Sequence, residues 1–252
     1  MAAEDIKDSI KEHYAKIAST AGSCCGPNCG CGTETDEEAL TVMMSDEYRN
    51  VDEQILAAAD LGLGCGTPTA FADLKPGMTV LDLGAGAGID VFIAARAVAP
   101  TGKAIGLDMT DEMVKRARTN KARLDIANAE FWKGEIENMP VESASVDRII
   151  SNCVINLVPD KRKAFSEMYR VLKIGGKFTV SDIVSLGEIP SGVRKDMELW
   201  AGCIAGALDR QDYLRIVREA GFKDLSIVTE KPYHLDGKSS FGLESITLTA
   251  TK

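Results

Sequence analysis

A glycine-rich turn is the first stretch of this sequence whose residue types and spacing could do chemistry. Residues 80–83 are an apolar run that contains Asp82, and glycines follow it at alternate positions: Gly84, Gly86 and Gly88. Glycine allows a sharp turn and a close ligand approach, and the helix start beyond it offers free N–H groups. The spacing is G-x-G-x-G rather than the dinucleotide fingerprint G-x-G-x-x-G, so the turn predicts a cofactor loop of another kind or an ordinary connection.

A second acidic strand end favours the cofactor interpretation. Residues 104–107 form another short apolar run, and Asp108 ends it. In α/β nucleotide folds, an acid at the tip of the neighbouring strand holds the ribose hydroxyls.

With these residues the chain resembles the class I S-adenosylmethionine-dependent methyltransferases over residues 68–185. The resemblance implies an α/β, Rossmann-like fold with a mostly parallel seven-stranded sheet and helices on both faces. It also implies S-adenosylmethionine as cofactor. The implied cofactor-binding residues are Asp82, Gly84, Gly86, Gly88, Asp108, Met109, Gly134, Glu135, Ile136 and Asn152.

The elements around this site follow from hydrophobic periodicity. We expect an N-terminal helical and cysteine-rich extension over residues 1–67 and a methyltransferase domain over residues 68–252, with helices inserted around residues 191–221. Residues 4–18 predict an amphipathic helix, and its Tyr14 is interpreted as a core residue, with a lid over the cofactor as the alternative. Further helices are expected over residues 36–44, 46–60, 111–124 (after a Thr110 N-cap), 160–172, 191–208 and 209–220.

Four cysteines stand close together near the amino terminus, in a segment too rich in Gly and Pro for a helix or a strand. The segment has no apolar residues with which to bury them, so a role as soft ligands is favoured. A zinc site is the alternative, but two separated ligand pairs are missing. The four are Cys24, Cys25, Cys29 and Cys31.

Three further cysteines border the predicted cleft. Cys65 stands between glycines in backbone expected to be exposed, Cys153 follows the fourth strand, and Cys203 lies in the inserted segment. A lone cysteine is commonly a small buried hydrophobe, and Cys203 could be a close helix contact. Three at one cleft instead favour a thiophilic centre such as trivalent arsenic, which binds three sulfurs and keeps a lone pair.

Groups that handle protons are missing from this cleft. The two histidines, His13 and His234, lie away from the strand ends. Amino-group methyltransferases carry Asn/Asp-Pro-Pro-Tyr after the fourth strand, whereas residues 151–154 read Ser-Asn-Cys-Val. The lone pair of arsenic could attack a sulfonium methyl group with no proton to remove.

With these cysteines in view, the chain closely resembles the arsenite S-adenosylmethionine methyltransferases from about residue 10 to about residue 225. The resemblance implies that Cys153 and Cys203 hold As(III), with Cys65 as third ligand and redox partner. An upstream thiol would resolve the resulting disulfide, and thioredoxin or glutathione would reduce it. Arsenite would arrive as a thiol complex. Longer members carry an additional C-terminal domain, most of which we expect this chain to lack.

Composition limits the partners and the compartment. The net charge of −9, from 29 basic and 38 acidic residues, argues against nucleic acid and anionic membranes. No apolar run approaches membrane-spanning length, and the amino terminus does not read as a signal peptide. The odd number of cysteines favours free thiols in the cytoplasm, and we expect a monomer.

Two other functions remain open at this point. The first is methylation of an organic small molecule, with the cysteines merely buried, although aromatic residues are only 6% of the chain. The second is a non-catalytic protein that binds metals or metalloids through thiols. A nicotinamide oxidoreductase is disfavoured by the glycine spacing.

Overall fold

The computed structural model describes residues 3–19, 48, 51–195, 200, 203–233 and 241–252. None of the helices in these ranges is long and apolar enough to cross a membrane. The α-helices are α1 (Ala3–Ser19), α2 (Glu53–Ala59), α3 (Ile89–Val98), α4 (Asp111–Leu124), α5 (Lys161–Val171) and α6 (Arg210–Glu219). The strands are β1 (Thr79–Leu83), β2 (Lys103–Asp108), β3 (Ala129–Lys133), β4 (Val146–Asn152), β5 (Leu172–Leu186), β6 (Lys223–Tyr233) and β7 (Gly242–Thr251).

The strands form one seven-stranded sheet in the order β3-β2-β1-β4-β5-β7-β6. Strands β1 to β5 pair in parallel, and β7 lies antiparallel between β5 and β6. This confirms the expected Rossmann-like, mostly parallel sheet. The strand order reverses between β1 and β4, and ligands of open α/β sheets bind at that point, outside the carboxyl ends of the strands.

Helices cover both faces of the sheet with their apolar residues. Phe165 of α5 packs edge-on against Tyr213 of α6, with ring centroids 5.6 Å apart, in the cluster that contains Leu81 and Leu83. Residues of α3 and α4 cover the other face with Val80. Neighbours in β1 therefore bury opposite faces, which explains its unbroken apolar sequence.

Two predicted helices are wrong in part. Where the structure describes residues 191–208, Val193–Lys195 form a short 3₁₀ helix, Trp200 is α-helical as predicted, and residues 203–206 form turns and a bend. Cys203 has a φ of +65°, which a right-handed helix does not allow. The helix expected over residues 46–60 begins only at Glu53, because the side chain of Asp52 caps it through the Gln54 N–H at 2.8 Å. The helix expected over residues 36–44 lies outside the described residues.

Candidate active site

The carboxyl ends of β1, β2, β3 and β4 open into one cleft of about 1090 Å³. Parallel strands direct these ends to the same edge of the sheet, so the loops that follow them meet there. Among the residues predicted to bind the cofactor, those that line the cleft are Asp82, Gly84, Gly86, Asp108, Met109, Gly134, Glu135, Ile136 and Asn152.

The three glycines of the turn all have positive φ, but they do different things. A Cβ added to Gly84 would lie 2.4 Å from a methyl group of Val154, and one added to Gly88 would lie 2.8 Å from Phe131. Gly86 has no atom within 4 Å of the position that a Cβ would take. Gly86 therefore borders open cleft, whereas Gly84 and Gly88 permit close packing.

Asp108 is held rigidly at the tip of β2. Its carboxylate accepts the backbone N–H of Gly86 at 3.0 Å and that of Thr110 at 2.9 Å. Burial raises the pKa of this carboxyl group, while the two N–H donors oppose the rise. Thr110 occupies the N-cap position of α4, although its side chain makes no capping hydrogen bond.

Buried carboxyl groups form the floor of the cleft. Burial, together with the neighbouring Asp90 and Asp108, raises the pKa of Asp82 well above its ordinary value. Burial raises the pKa of Asp90 to about 6, and the hydrogen bond from the Tyr48 hydroxyl at 2.8 Å lowers it in part. Such a site favours a ligand with positive charge. The sulfonium and ammonium groups of S-adenosylmethionine fit it.

Helix α1 forms one wall of the cleft. Lys7 pairs with Glu135 at 2.7 Å and with the buried Glu137 at 3.0 Å, and Lys11 reaches Glu135 at 3.3 Å. The Lys7 hydrogen bond lowers the pKa of Glu135. The carboxylate proposed to read the adenine edge is thus ion-paired with α1.

Tyr14 of α1 packs against the core, as its interpretation as a core residue expects, and it also borders the cleft. It lines the cleft and packs against the cluster that contains Cys65, Cys153 and Cys203. Burial raises the pKa of Tyr14 well above its ordinary value, and its contact with Cys203 adds to the rise. The tyrosine therefore borders both the cleft and the thiols.

Three distant segments bring their thiols together beside the cleft. Cys65, Cys153 and Cys203 are 2%, 7% and 6% exposed and share one apolar cluster. Hydrogen bonding with the side chains of Cys203 and Cys65, together with burial, raises the pKa of Cys153 well above its ordinary value. Burial raises the pKa of Cys65. The thiols of Cys65 and Cys153 stay protonated near neutral pH, and the expectation of exposed backbone around Cys65 is wrong.

The backbone is unusual at two of these cysteines. Cys153 has a φ of +59° and Cys203 a φ of +65°, in the left-handed region that residues with a Cβ rarely adopt. Strained residues of this kind cluster at active sites and ligand clamps. The surrounding contacts must hold both turns in place.

The comparisons with known proteins agree with this geometry. A solved arsenic(III) S-adenosylmethionine methyltransferase from Chlamydomonas reinhardtii superimposes with a TM-score of 0.70 and 34% identity, covering 85% of this chain and 73% of that one. The chain belongs to the arsenic(III) S-adenosylmethionine methyltransferase family. Its residues 74–221 also match the family model described as a methyltransferase domain. The cofactor of the family is S-adenosylmethionine, which fits the acidic cleft.

Two curated members of the family are longer than this chain. The arsenite methyltransferase of Halobacterium salinarum is 42% identical, covering 89% of this chain and 59% of the relative. That of Aquipseudomonas alcaligenes is 32% identical, covering 90% of this chain and 65% of the relative. The chain thus spans about three fifths of the length of the curated relatives it matches.

The three thiols do not form a preformed metal site. Within the described parts of the chain, no group of three or more His, Cys, Asp and Glu side chains has the arrangement of a metal centre. The upstream cysteines Cys24, Cys25, Cys29 and Cys31 lie outside those parts. A trivalent arsenical would therefore have to draw the three sulfurs onto itself.

A buried polar group lies behind the thiols. The hydroxyl of Tyr213 donates to Asp182 at 2.9 Å, and the ammonium of Lys161 donates to the carbonyls of Asn156 and Val158, each at 2.9 Å. Burial raises the pKa of Asp182 to about 7 and lowers that of Lys161 to about 8. No carboxylate described in the structure lies within 4.0 Å of the Lys161 ammonium.

Sequence reasoning missed several residues of the site. Asp90 lies in the first turn of the helix after the glycine loop, and that position alone could have identified it. Tyr48 carries no comparable signal, since it lies far from β1 in the sequence. The role of the Asn152 side chain was also missed: its Oδ1 accepts the Cys65 N–H at 2.9 Å, and its Nδ2 donates to the Gly66 carbonyl at 2.7 Å.

Proposed function

We propose that this protein transfers methyl groups from S-adenosylmethionine to trivalent arsenic held by Cys65, Cys153 and Cys203. The observation that carries the proposal is the meeting of three buried thiols from distant segments beside an acidic cofactor cleft. Thiols select soft, thiophilic centres. The cleft offers no histidine among its described lining residues, which suits a nucleophile that carries a lone pair and no proton.

The cofactor, when bound, supplies a methyl group on a positively charged sulfur. The residues proposed to hold it are Asp108 at the ribose, the turn containing Gly86 at the methionine part, and residues 134–136 at the adenine. Asp82 and Asp90 favour its positive charge. Holding donor and acceptor together removes the entropy cost of their encounter, so positioning supplies much of the rate.

The cysteines load arsenic by thiol exchange. Each neutral cysteine thiol displaces one thiolate from an arsenic–thiol complex, and its proton leaves with the departing thiol, so charge and protons balance. Methylation removes two electrons from trivalent arsenic. Two cysteine sulfurs return those electrons by forming a disulfide, which leaves trivalent methylarsenic, and an external dithiol then reduces the disulfide.

The wider setting is part of the same proposal. A thiol-based cycle requires a reducing compartment, so we place the protein in the cytoplasm, with thioredoxin or glutathione as reductant. The upstream cysteines are proposed to supply the thiol that resolves the disulfide. A monomer suffices, because the three thiols come from one chain.

The direct test incubates the full chain with arsenite, a thiol reductant and S-adenosylmethionine labelled in the methyl group. We expect labelled methylarsenic whose formation needs all three components. Binding of arsenite without labelled product would indicate a non-catalytic metalloid-binding protein. Label transferred to an organic acceptor with arsenite omitted would indicate the other alternative.

A further inference from the structure

The side chain of Asn152 makes two hydrogen bonds to the backbone of the loop that carries Cys65. Its Oδ1 accepts the Cys65 N–H at 2.9 Å, and its Nδ2 donates to the Gly66 carbonyl at 2.7 Å. A Cβ on Gly64 would lie 2.8 Å from that Nδ2, so the approach requires glycine there. Asn152 immediately precedes Cys153, so these hydrogen bonds connect the loop of Cys65 to the backbone next to Cys153.

Asn156 holds the turn of Cys203 in a similar way. Its Nδ2 donates to the Cys203 carbonyl at 3.2 Å, and its own carbonyl accepts the Lys161 ammonium at 2.9 Å. A Cβ on Gly206 would lie 2.1 Å from the Asn156 carbonyl oxygen. The two turns are therefore in direct contact, and Lys161 fixes the backbone on which they meet.

Packing alone does not explain Asn156. Asn156 is fully buried, and its Oδ1 has no hydrogen-bond partner among the described residues. An unpaired buried acceptor is unfavourable, and an apolar side chain would avoid it. The amide instead supplies a donor aimed at the Cys203 carbonyl, and the strained backbone at Cys153 and Cys203 needs such restraints.

We propose that Asn152 and Asn156 are positioning residues. Asn152 holds the loop of Cys65 against Cys153, and Asn156 holds the loop of Cys203 against Cys153. Together they fix the positions from which the three sulfurs bind one arsenic atom. The inference rests on the proposed function, because it treats the thiols as ligands of arsenic. Asn152 then determines whether the Cys65 sulfur can bind arsenic as the third ligand, whereas Asn156 determines the relative position of the Cys153 and Cys203 sulfurs.

Two arsenicals separate these roles. Arsenite has three exchangeable positions and takes three thiolates, whereas phenylarsenite has two and needs only a pair. Binding is followed by the fluorescence of Trp200, whose carbonyl accepts the Cys203 N–H at 3.0 Å, in a Trp132→Phe background that removes the other tryptophan. S-adenosylhomocysteine binding, followed by calorimetry, monitors the cleft. The matched control is Asn128→Ala, whose amide bonds to the carbonyls of Ala95 and Gly102, away from the cleft.

In Asn152→Ala we expect the affinity for arsenite to fall at least tenfold relative to that for phenylarsenite. In Asn156→Ala we expect both affinities to fall at least tenfold, while S-adenosylhomocysteine binding stays within about twofold. Asn128→Ala should change none of them. An unchanged arsenite-to-phenylarsenite ratio in Asn152→Ala, or wild-type affinities in Asn156→Ala, would overturn the proposal.

A second variant keeps the proposal testable if Asn156→Ala fails to fold. If Asn156→Ala also loses S-adenosylhomocysteine, Lys161→Met replaces it, because methionine keeps the apolar stem and removes the ammonium that donates to the Asn156 and Val158 carbonyls. Weaker binding of both arsenicals with unchanged S-adenosylhomocysteine binding supports the proposal, and unchanged arsenical binding refutes it. None of these measurements needs methyl transfer. If the variants show these changes in arsenical binding but the wild-type protein forms no methylarsenic, the proposed function is contradicted and the positioning roles are not.

Discussion

The thiol of Cys203 donates to the backbone carbonyl of Cys153 at 3.2 Å, across 50 positions of sequence. The contact joins two turns that both have left-handed backbone at the cysteine. Cys153 also lines the cleft that fits the cofactor. A thiol-bound substrate and a methyl donor would thus meet at Cys153, and the predictions below test this meeting from several sides.

The first prediction concerns the third sulfur. Cys65→Ser should lower the rate of arsenite methylation at least a hundredfold and leave that of methylarsenite within about threefold, because methylarsenite has only two exchangeable positions. The two rates are measured with excess reductant, so that loss of a redox thiol does not limit turnover. If Cys65→Ser methylates arsenite at the wild-type rate, Cys65 is not a required ligand.

The second prediction concerns the strand-tip carboxylate. Asp108→Ala removes the acceptor of the Gly86 and Thr110 N–H groups as well as the proposed ribose contact. Charge-assisted hydrogen bonds contribute about 1.5–3 kcal/mol, so the affinity for S-adenosylhomocysteine should fall roughly tenfold to a hundredfold. Calorimetry measures it. Arsenical binding should be unchanged, and equal cofactor affinity in the variant would exclude Asp108 from the site.

The third prediction concerns the wall formed by α1. Lys7→Gln breaks the pairs with Glu135 and Glu137 and should weaken S-adenosylmethionine binding about two- to fivefold, the range expected for partly exposed ion pairs. The effect should shrink as salt is added. Lys16→Gln is the control, because Lys16 pairs with Glu12 on the exposed surface of the same helix. Equal losses in the two variants would contradict a specific role for Lys7.

The fourth prediction concerns pH. Burial raises the pKa of Asp182 to about 7, so the folded state keeps a proton that the unfolded state has lost between about pH 4 and pH 7. Stability from this group is therefore present at low pH and is lost as pH rises towards 7, with a slope of at most about 1.4 kcal/mol per pH unit. Asp182→Asn should flatten this fall, as measured by urea unfolding at pH 5 and pH 7.5. Parallel curves for the two proteins would show that Asp182 is not protonated in the folded state.

Much of the site could be predicted from the sequence, because it depends on where strands end. An apolar run followed by Gly86, by Asp108 or by Cys153 places each residue at the same edge of a parallel sheet. The turn at Cys203 could not be predicted in this way. Its sequence has the periodicity of a helix, and the turn is held by contacts with a residue distant in sequence, Asn156.

Partners distant in sequence were also beyond the reach of pattern reasoning. The family resemblance implies that Asn152 binds the cofactor, and Asn152 does line the cleft. Its amide, however, bonds to the backbone of Cys65 and Gly66, 87 and 86 positions away. Periodicity and local motifs carry no information about such pairs, which form only when the loops pack against the sheet.

The measurement that tests the central claim most directly is methylation of arsenite by Cys153→Ser and Cys203→Ser, each compared with its own S-adenosylhomocysteine affinity. We expect both variants to bind S-adenosylhomocysteine within about twofold of wild type and to form no detectable methylarsenic. Wild-type rates of arsenite methylation in either variant would contradict the account, because the cofactor would then be used without the thiols that are proposed to hold the metalloid.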